Sequence, residues 1–177
     1  MNFFKLNDHN AMKVAKLMTT IRPQWWPSFD DAYGQLTDIQ ESIGTVGWYL
    51  GEDENHPKGW ILCRELKGLS AIELECSGYD DNGIFKLEHK LKELFDVASE
   101  YAKSKGYSTF RTGMSSIDFN IHGYPIVSIS KAIENLQSDR IDYKWLLDYG
   151  FRVIGIQPNA YEINYHLIIF AKQPRCV

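Results

Sequence analysis

The sequence predicts an α/β protein in which a mixed, mostly antiparallel sheet of six or seven strands is flanked by helices. Several short segments alternate apolar with polar residues, as strands with one buried face do. One long segment after Gly83 instead spaces its apolar residues by three and four, as an amphipathic helix does. The chain has 177 residues and no repeat or linker divides it, so residues 1–177 are predicted to form a single domain.

Capping and turn residues set the limits of the predicted elements. Asp8 and Ser28 are candidate N-caps of the first two helices. Gln157-Pro158-Asn159 is predicted to be a polar turn between the last two strands. The predicted helices cover residues 9–21, 29–42, 84–105, 128–137 and 140–149. The predicted strands cover residues 2–6, 45–50, 59–65, 70–76, 108–113, 151–156 and 161–171.

The order of the strands predicts how they pair. Short polar turns separate the strands over 45–50, 59–65 and 70–76, so we expect an antiparallel meander. The strand over 108–113 follows a helix, so we expect it to lie parallel to the strand before that helix.

Charge and hydropathy exclude several classes of partner. The chain carries 19 Lys+Arg against 23 Asp+Glu, a net charge of −4, so it has no basic field to attract nucleic acid. No apolar run approaches the roughly 20 residues that span a bilayer. The first residues, 1–5, lack the pattern of a signal peptide. We therefore expect a cytoplasmic protein with no membrane or nucleic-acid partner.

The cysteines and histidines predict neither a disulfide framework nor a metal site. Cys63, Cys76 and Cys176 are odd in number and far apart. The five histidines are scattered, and none of their spacings places two on one face of an element. We expect no bound metal.

The junction at Tyr79–Phe85 leads from a predicted strand into the long helix, where unpaired helical N–H groups can bind an anion. In this junction and in its order of elements, the chain resembles the GNAT family of acyl-CoA-dependent N-acetyltransferases over nearly its whole length. In that family the turn carries [QR]-x-x-G-x-[GA], and its backbone amides bind the pyrophosphate of coenzyme A. Tyr79 and Gly83 match the family, whereas Asp80 and Phe85 depart from the pattern.

The resemblance implies acetyl-CoA as a cosubstrate and no metal. It also implies that the strand before the turn pairs with the pantetheine arm of the coenzyme. The residues implied to contact the coenzyme are Cys76, Ser77, Gly78, Tyr79, Asn82, Gly83, Ile84 and Phe85. For Cys76 the sequence favours a buried, inert thiol, because no histidine lies close enough in sequence to act as its base.

Two glutamates are candidates for the general base. Glu73 and Glu75 alternate with Ile72 and Leu74, so both are expected to face away from the buried side of their strand. In the resembling family a glutamate on this strand often deprotonates the acceptor amine, which must lose its proton before it attacks a thioester. A solvated strand face is the alternative interpretation of each.

Two tyrosines are candidates for the general acid. Leu147–Phe151 resembles the family's helix that ends in L-G-F, in which a tyrosine four residues before the glycine protonates the departing thiolate. In this chain that position holds Leu146. Tyr143, one helical turn earlier, and Tyr149, in the last turn, are the substitutes.

Trp25-Trp26-Pro27 lies between the first two predicted helices, the segment that covers the acceptor side in the resembling family. Two adjacent indoles on a short loop cannot both point into a core, so at least one is a candidate to line a ligand site. Trp25 and Trp26 are therefore candidates for substrate binding, and the packing of one in the core with partial exposure of the other is the alternative.

The resemblance implies transfer of an acetyl group from acetyl-CoA to a primary amine of a small molecule or peptide, by direct attack in a ternary complex. The departures at Asp80, Phe85 and Leu146 keep a second interpretation open: a GNAT-fold module that has lost catalysis and binds a small ligand or a protein partner. The apolar run Leu167–Phe170 further suggests that strand 161–171 is an exposed edge through which two copies form a homodimer.

Overall fold

The computed structural model describes residues 1–41, 44–80 and 90–174. The strands are β1 (Asn2–Lys5), β2 (Thr45–Gly51), β3 (Pro57–Leu66), β4 (Ala71–Tyr79), β5 (Thr109–Ser115), β6 (Arg152–Glu162) and β7 (Tyr165–Lys172). The helices are α1 (Asp8–Ile21), α2 (Phe29–Glu41), α3 (Lys90–Ser104), α4 (Ile129–Glu134) and α5 (Ile141–Tyr149). All seven strands belong to one sheet in the order β1-β2-β3-β4-β5-β7-β6, which confirms the predicted mixed sheet flanked by helices.

Contacts divide the chain into two compact units: residues 1–108 with Pro174 form unit 1, and residues 109–173 form unit 2. In unit 1 each of the strands β1 to β4 pairs antiparallel with the next, which confirms the predicted meander. Helices α1 and α2 bury their apolar residues against the sheet face that carries Trp60, Leu62 and Cys76. The other face carries Trp48, whose ring packs edge-on against Tyr101 of α3. Both faces of this part of the sheet are therefore covered.

The first helix begins at Asp8, one residue earlier than predicted, so Asp8 lies inside the helix and is not its N-cap. Asn7, rather than Asp8, is the N-cap, because its side chain accepts hydrogen bonds from the N–H groups of His9 and Asn10. The side chain of Asn10 in turn accepts from the Asn7 N–H at 2.9 Å. This reciprocal pair satisfies donors at the helix start that Asp8 cannot reach from within the helix.

The predicted cap of the second helix is confirmed. Ser28 Oγ accepts from the Asp31 N–H at 3.1 Å, and the Asp31 carboxylate accepts from the Ser28 N–H at 3.1 Å. The third helix ends before Gly106, which has a φ of +75° and so serves as its predicted stop. The predicted start of that helix at Ile84 lies outside the described residues.

In unit 2 the order of the strands corrects one prediction. β7 pairs antiparallel with β5 on one side and with β6 on the other, so the strand predicted over 161–171 is not an exposed edge. Its apolar run Leu167–Phe170 is instead explained by this central position. The edge of the sheet in this unit is β6.

The predicted turn at Gln157-Pro158-Asn159 is also wrong. β6 continues through these residues to Glu162, and Ile163-Asn164 form the turn into β7. The register with β7 shifts between Gln157 and Glu162, and Asn159 has a φ of +54°. Proline is tolerated here because β6 is an edge strand with an irregular register, where a missing N–H breaks no central pairing.

Among the described residues, no helix is both long and apolar enough to cross a membrane.

Candidate functional site

An extra residue interrupts the pairing of β3 with β4. Leu62 of β3 lies opposite Cys76, and the next residue, Cys63, lies opposite Leu74. Glu75 therefore has no partner residue in β3 and forms a β-bulge. A bulge bends its strand and re-aims the side chains beside it, which is why bulges are frequent next to functional sites.

The bulge brings Glu75 to an arginine that the sequence did not indicate. Arg64 Nε lies 3.0 Å from Glu75 Oε1, and Glu73 lies opposite Arg64 in the register. Both candidate bases are therefore on the sheet face that α1 and α2 cover, which also carries Cys76. No local pattern reveals Arg64 as their neighbour, because the contact depends on the register between two strands.

The protein surroundings of Glu75 stabilise the neutral form of its carboxyl group relative to a carboxyl group in water. Only 21% of its side chain is exposed, and this burial raises the pKa of its carboxyl above the ordinary value. The Arg64 guanidinium opposes part of that rise, and the Glu73 carboxylate adds to it. Glu75 is thus not on a solvated strand face, and it is suited to exchange a proton nearer to neutral pH than an exposed glutamate is.

The end of β4 is tightly packed against β3. Cys76 is buried, and burial raises the pKa of its thiol to about 12, which confirms the predicted buried position and keeps the thiol protonated. Gly78 lies under the indole of Trp60, where an added Cβ would come within 2.3 Å of Trp60 Cη2. Ser77 and Tyr79 lie on the opposite face, and the Tyr79 hydroxyl is 3.7 Å from the sulfur of Met1.

The predicted anion-binding residues Asn82, Gly83, Ile84 and Phe85 lie outside the described residues. Asp80, just before them, lies close to Lys58 of β3. Lys58 Nζ is 3.9 Å from Asp80 Oδ2, and the Asp80 N–H donates to the Lys58 carbonyl oxygen at 2.6 Å. The lysine offsets the charge of Asp80, so this departure from the family pattern is less unfavourable to a phosphate than the sequence indicates.

The two adjacent tryptophans have different environments, which agrees with the alternative interpretation of this pair. Trp26 is 5% exposed, its indole N–H donates to Gln35 Oε1, and its ring packs edge-on against Trp60. Trp25 is 59% exposed, and the Arg22 guanidinium lies 5.3 Å from the centre of its ring. Trp25 is therefore the member of the pair whose face is available to a ligand.

In unit 2 the two candidate acids also differ. Tyr149 is buried, its ring stacks on Trp145, and Lys172 Nζ lies 3.6 Å from its centre. Tyr143 is half-buried and packs edge-on against Phe119, with 5.0 Å between ring centres. Both rings are packed against aromatic neighbours, and Tyr149 is the more deeply buried of the two.

Comparison with known proteins gives an answer only at the level of structure. No protein-family model matches the sequence, and a search of curated proteins gives no match. The aminoglycoside 6'-N-acetyltransferase from Enterococcus faecium superposes with a TM-score of 0.80 at 15% identity, covering 100% of this chain and 99% of that chain. An aminoglycoside 6'-N-acetyltransferase complexed with coenzyme A superposes with a TM-score of 0.81 at 15% identity, with the same coverage. An acetyltransferase structure assigned to the GNAT family, from Desulfovibrio desulfuricans, superposes with a TM-score of 0.67 at 12% identity. The match covers 98% of this chain and 99% of that chain.

This chain has the GNAT fold. The resemblance in the order of its elements is therefore confirmed, although its motifs are degraded. At this level of identity the likeness concerns the fold and assigns no substrate.

Unit 2 of this GNAT-fold chain also contains a pocket of about 940 Å³, lined by Asp118, Asn120, residues 136–140 and Tyr143. The sequence showed no motif in this region, because its polar residues follow no helical or strand period. Of its members, only Tyr143 was singled out from the sequence.

Proposed function

We propose that this protein is an acetyl-CoA-dependent N-acetyltransferase that acts on a primary amine of a small molecule or peptide. The observation that carries the proposal is the match along the full chain to the fold of an acetyltransferase solved with coenzyme A. Two relatives in structure are named for aminoglycoside acceptors, which are amines. A half-buried carboxylate on β4 adds the proton acceptor that such a reaction requires.

In this mechanism acetyl-CoA supplies an acetyl group activated as a thioester. The acceptor arrives as an ammonium ion, and Glu75 accepts its proton directly or through one water. The neutral amine attacks the carbonyl carbon, the C–N bond forms, and the C–S bond breaks. The attacking nitrogen loses its second proton as the amide forms, and the leaving thiolate takes up a proton to become the free thiol, so the protein's role is to position the reactants and to manage these proton transfers.

Glu75 is the better of the two candidate bases. Its carboxyl has a raised pKa, which makes it a stronger proton acceptor than an exposed glutamate. Glu73 is half-buried on the same face, so it remains the alternative.

Tyr143 is the proposed donor to the leaving thiolate. Tyr143 lines the pocket of unit 2, and its hydroxyl makes no hydrogen bond to any residue in the described ranges. Tyr149 is the alternative, but its ring is held between Trp145 and Lys172.

The coenzyme would be held by unit 1. The backbone amides of residues 82–85 would bind the pyrophosphate, and residues 76–79 would lie along the pantetheine arm. Lys58 supports this assignment, because it supplies positive charge beside Asp80 at the start of the loop.

Calorimetric titration with acetyl-CoA tests the proposal. Micromolar affinity is the expected result, and replacement of Gly83 by valine should weaken it while the melting temperature stays nearly unchanged. A dissociation constant of about 1 mM corresponds to a binding free energy of roughly −4 kcal/mol. Absence of binding at that concentration of acetyl-CoA would contradict the proposal. A screen of amine acceptors with detection of free thiol then tests catalysis.

A second candidate is a GNAT-fold module that binds a ligand or partner without catalysis. The observation that favours it is Leu146, which is buried at the position where the resembling family carries its acid. The module would give no thiol release with any acceptor. The cytoplasmic location, the single domain and the absence of a metal stay predictions, whereas the homodimer loses the exposed edge on which it was predicted.

A further inference from the structure

Arg64 and Glu75 place opposite charges side by side next to the proposed general base position. Arg64 Nε lies 3.0 Å from Glu75 Oε1, with 49% of the arginine side chain and 21% of the glutamate side chain exposed. In the strand register Arg64 lies between Thr45 of β2 and Glu73 of β4. This face of the sheet therefore carries a cation that the proposed deprotonation of an amine does not itself require.

Most of the binding capacity of this ion pair is unused. The contact with Glu75 is made through Nε, and within the described residues the two Nη groups of Arg64 make no hydrogen bond. Half of the Arg64 side chain is open to solvent, so a ligand can reach its Nη groups. The planar guanidinium group binds a carboxylate through two parallel hydrogen bonds, which a lysine in the same place could not do.

Stability does not explain the pair. An ion pair with one partner half exposed contributes little to the free energy of unfolding. Burial raises the pKa of Glu75 in spite of Arg64, so the ionised carboxylate is held here at a cost to stability near neutral pH. Charged groups placed at such a cost are typical of binding and catalytic sites.

We propose that Arg64 binds the carboxylate of a zwitterionic acceptor, a free α-amino acid, whose ammonium group meets Glu75. The two charged groups of an α-amino acid are attached to one carbon atom, so they are adjacent, as the two charges of the ion pair are. The ligand therefore lies with each of its charges against the opposite charge of the protein. The inference rests on the proposed function in one respect: this amino acid is taken to be the acetyl acceptor.

Arg64 disfavours other classes of amine. A polycationic amine would place further positive charges beside the guanidinium group, which repels them. The N-terminus of a peptide carries a neutral amide where a free amino acid carries its carboxylate, so it offers the guanidinium group no charged partner. Only the zwitterion satisfies both members of the ion pair.

The bound carboxylate would also assist the proton transfer. The positive charge of Arg64 lowers the pKa of Glu75, against the effect of burial. A carboxylate on the Nη groups offsets part of that charge, so Glu75 takes up a proton more readily when the acceptor is bound. The proposed base is thus strongest in the complex in which it acts.

The test is a set of ligand-observed NMR titrations, without and with coenzyme A, which has no acetyl group to transfer. Leucine carries both charges, leucinamide only the ammonium group and 4-methylpentanoate only the carboxylate; phenylalanine, its amide and 3-phenylpropanoate form a second set. At about pH 6.5 the α-amino groups are protonated. We expect at least one amino acid to bind roughly tenfold more tightly than its amide and its acid. An amide that binds as tightly as its amino acid in both sets, or no binding of either amino acid up to about 10 mM, would overturn the proposal.

A matched pair of variants locates the site. Arg64→Gln should weaken binding of the amino acid roughly tenfold. It should leave binding of the amide unchanged or tighter, because it removes a like charge. Lys67→Gln removes the same charge from an exposed position just beyond β3 and should change neither affinity. Equal weakening of both ligands by Arg64→Gln would show a structural role only, and equal effects of the two variants would show only a general field; either result refutes the site.

This design separates the inference from the proposed function. Acetyl-CoA affinity, measured separately by calorimetry, reports on the acetyltransferase proposal. A chain that binds acetyl-CoA but neither amino acid keeps its proposed function and loses the assignment of Arg64. A chain that binds an amino acid through Arg64 but not acetyl-CoA keeps this site and loses the transferase.

Discussion

Arg64 and Glu75 form an ion pair between neighbouring strands, with 3.0 Å from Arg64 Nε to Glu75 Oε1. The pair forms because Glu75 is the extra residue of a bulge in β4, so its carboxylate turns toward a side chain that does not lie opposite it in the register. Arg64 remains half exposed and Glu75 is mostly covered. The burial of Glu75, which raises the pKa of its carboxyl, therefore outweighs the attraction to the Arg64 guanidinium, which lowers it. The pKa of Glu75 stays above its ordinary value.

The first prediction concerns the pH dependence of catalysis. The proposed base must be deprotonated, so activity should rise as pH rises through the raised pKa of Glu75. Arg64→Gln removes the charge that opposes this rise and should move the ascending limb of the pH–rate profile to higher pH. Glu75→Gln should lower the rate and abolish that limb, with acetyl-CoA affinity unchanged. If Glu75→Gln keeps the wild-type pH–rate profile and Glu73→Gln loses its ascending limb, Glu73 is the general base.

The second prediction concerns stability as a function of pH. The fold favours the neutral form of Glu75, so its contribution to stability is fully present below the ordinary pKa of 4.5 and is lost as pH rises through the folded value. Glu75→Gln cannot ionise and should lose less stability than the wild type over that interval. Urea titrations at several pH values measure the difference, and parallel curves for the two proteins would contradict it.

The third prediction compares two glycines. Gly78→Ala would place a Cβ 2.3 Å from Trp60 Cη2 and should cost on the order of 1–3 kcal/mol of unfolding free energy. Gly34→Ala in α2 meets no atom of the described residues within 4 Å and should stabilise the protein by about 0.5–1 kcal/mol. Chemical denaturation of both variants checks the opposite signs.

The fourth prediction separates the two adjacent tryptophans. Trp26→Ala removes a buried ring that contacts Trp60 and should cost roughly 3–5 kcal/mol. Trp25→Ala removes a mostly exposed ring and should cost under about 1 kcal/mol. If Trp25 contacts the acceptor, its variant also raises the KM for the amine, and an unchanged KM would remove it from the site.

The fifth prediction concerns Cys76. With a pKa of about 12, only roughly one thiol in ten thousand is ionised at pH 8. In a Cys176→Ser background, iodoacetamide should therefore modify Cys76 only as fast as the protein unfolds, and acetyl-CoA should slow that reaction. Rapid modification of the native protein would contradict the burial of this thiol.

Local chemistry explains which predictions from sequence held. Ser28 caps α2, and Gly106 follows α3, because caps and stops depend on residues a few positions apart. The meander over β2 to β4 follows from short polar turns between strands. These features need no knowledge of distant parts of the chain.

Competing local signals explain the errors. Asn7 and Asp8 are both good caps, and only Asn10 at the right spacing decides for Asn7. Pro158 signals a turn in most contexts, yet at the edge of a sheet a bulged strand accommodates it. Asp8 does favour a helix cap and Pro158 does favour a turn. A neighbouring residue in the first case, and the neighbouring strand in the second, decided between two structures that the local sequence allows.

The sequence by itself determined the order of helices and strands, because periodicity, caps and steric limits act over a few residues. Only the tertiary structure decided that Trp26 is the buried one, that Glu75 forms the bulge beside Arg64, and that Asp118 and Tyr143 line one pocket. Those features depend on strand register and on loop closure, in which residues far apart in sequence select one of several locally equivalent arrangements.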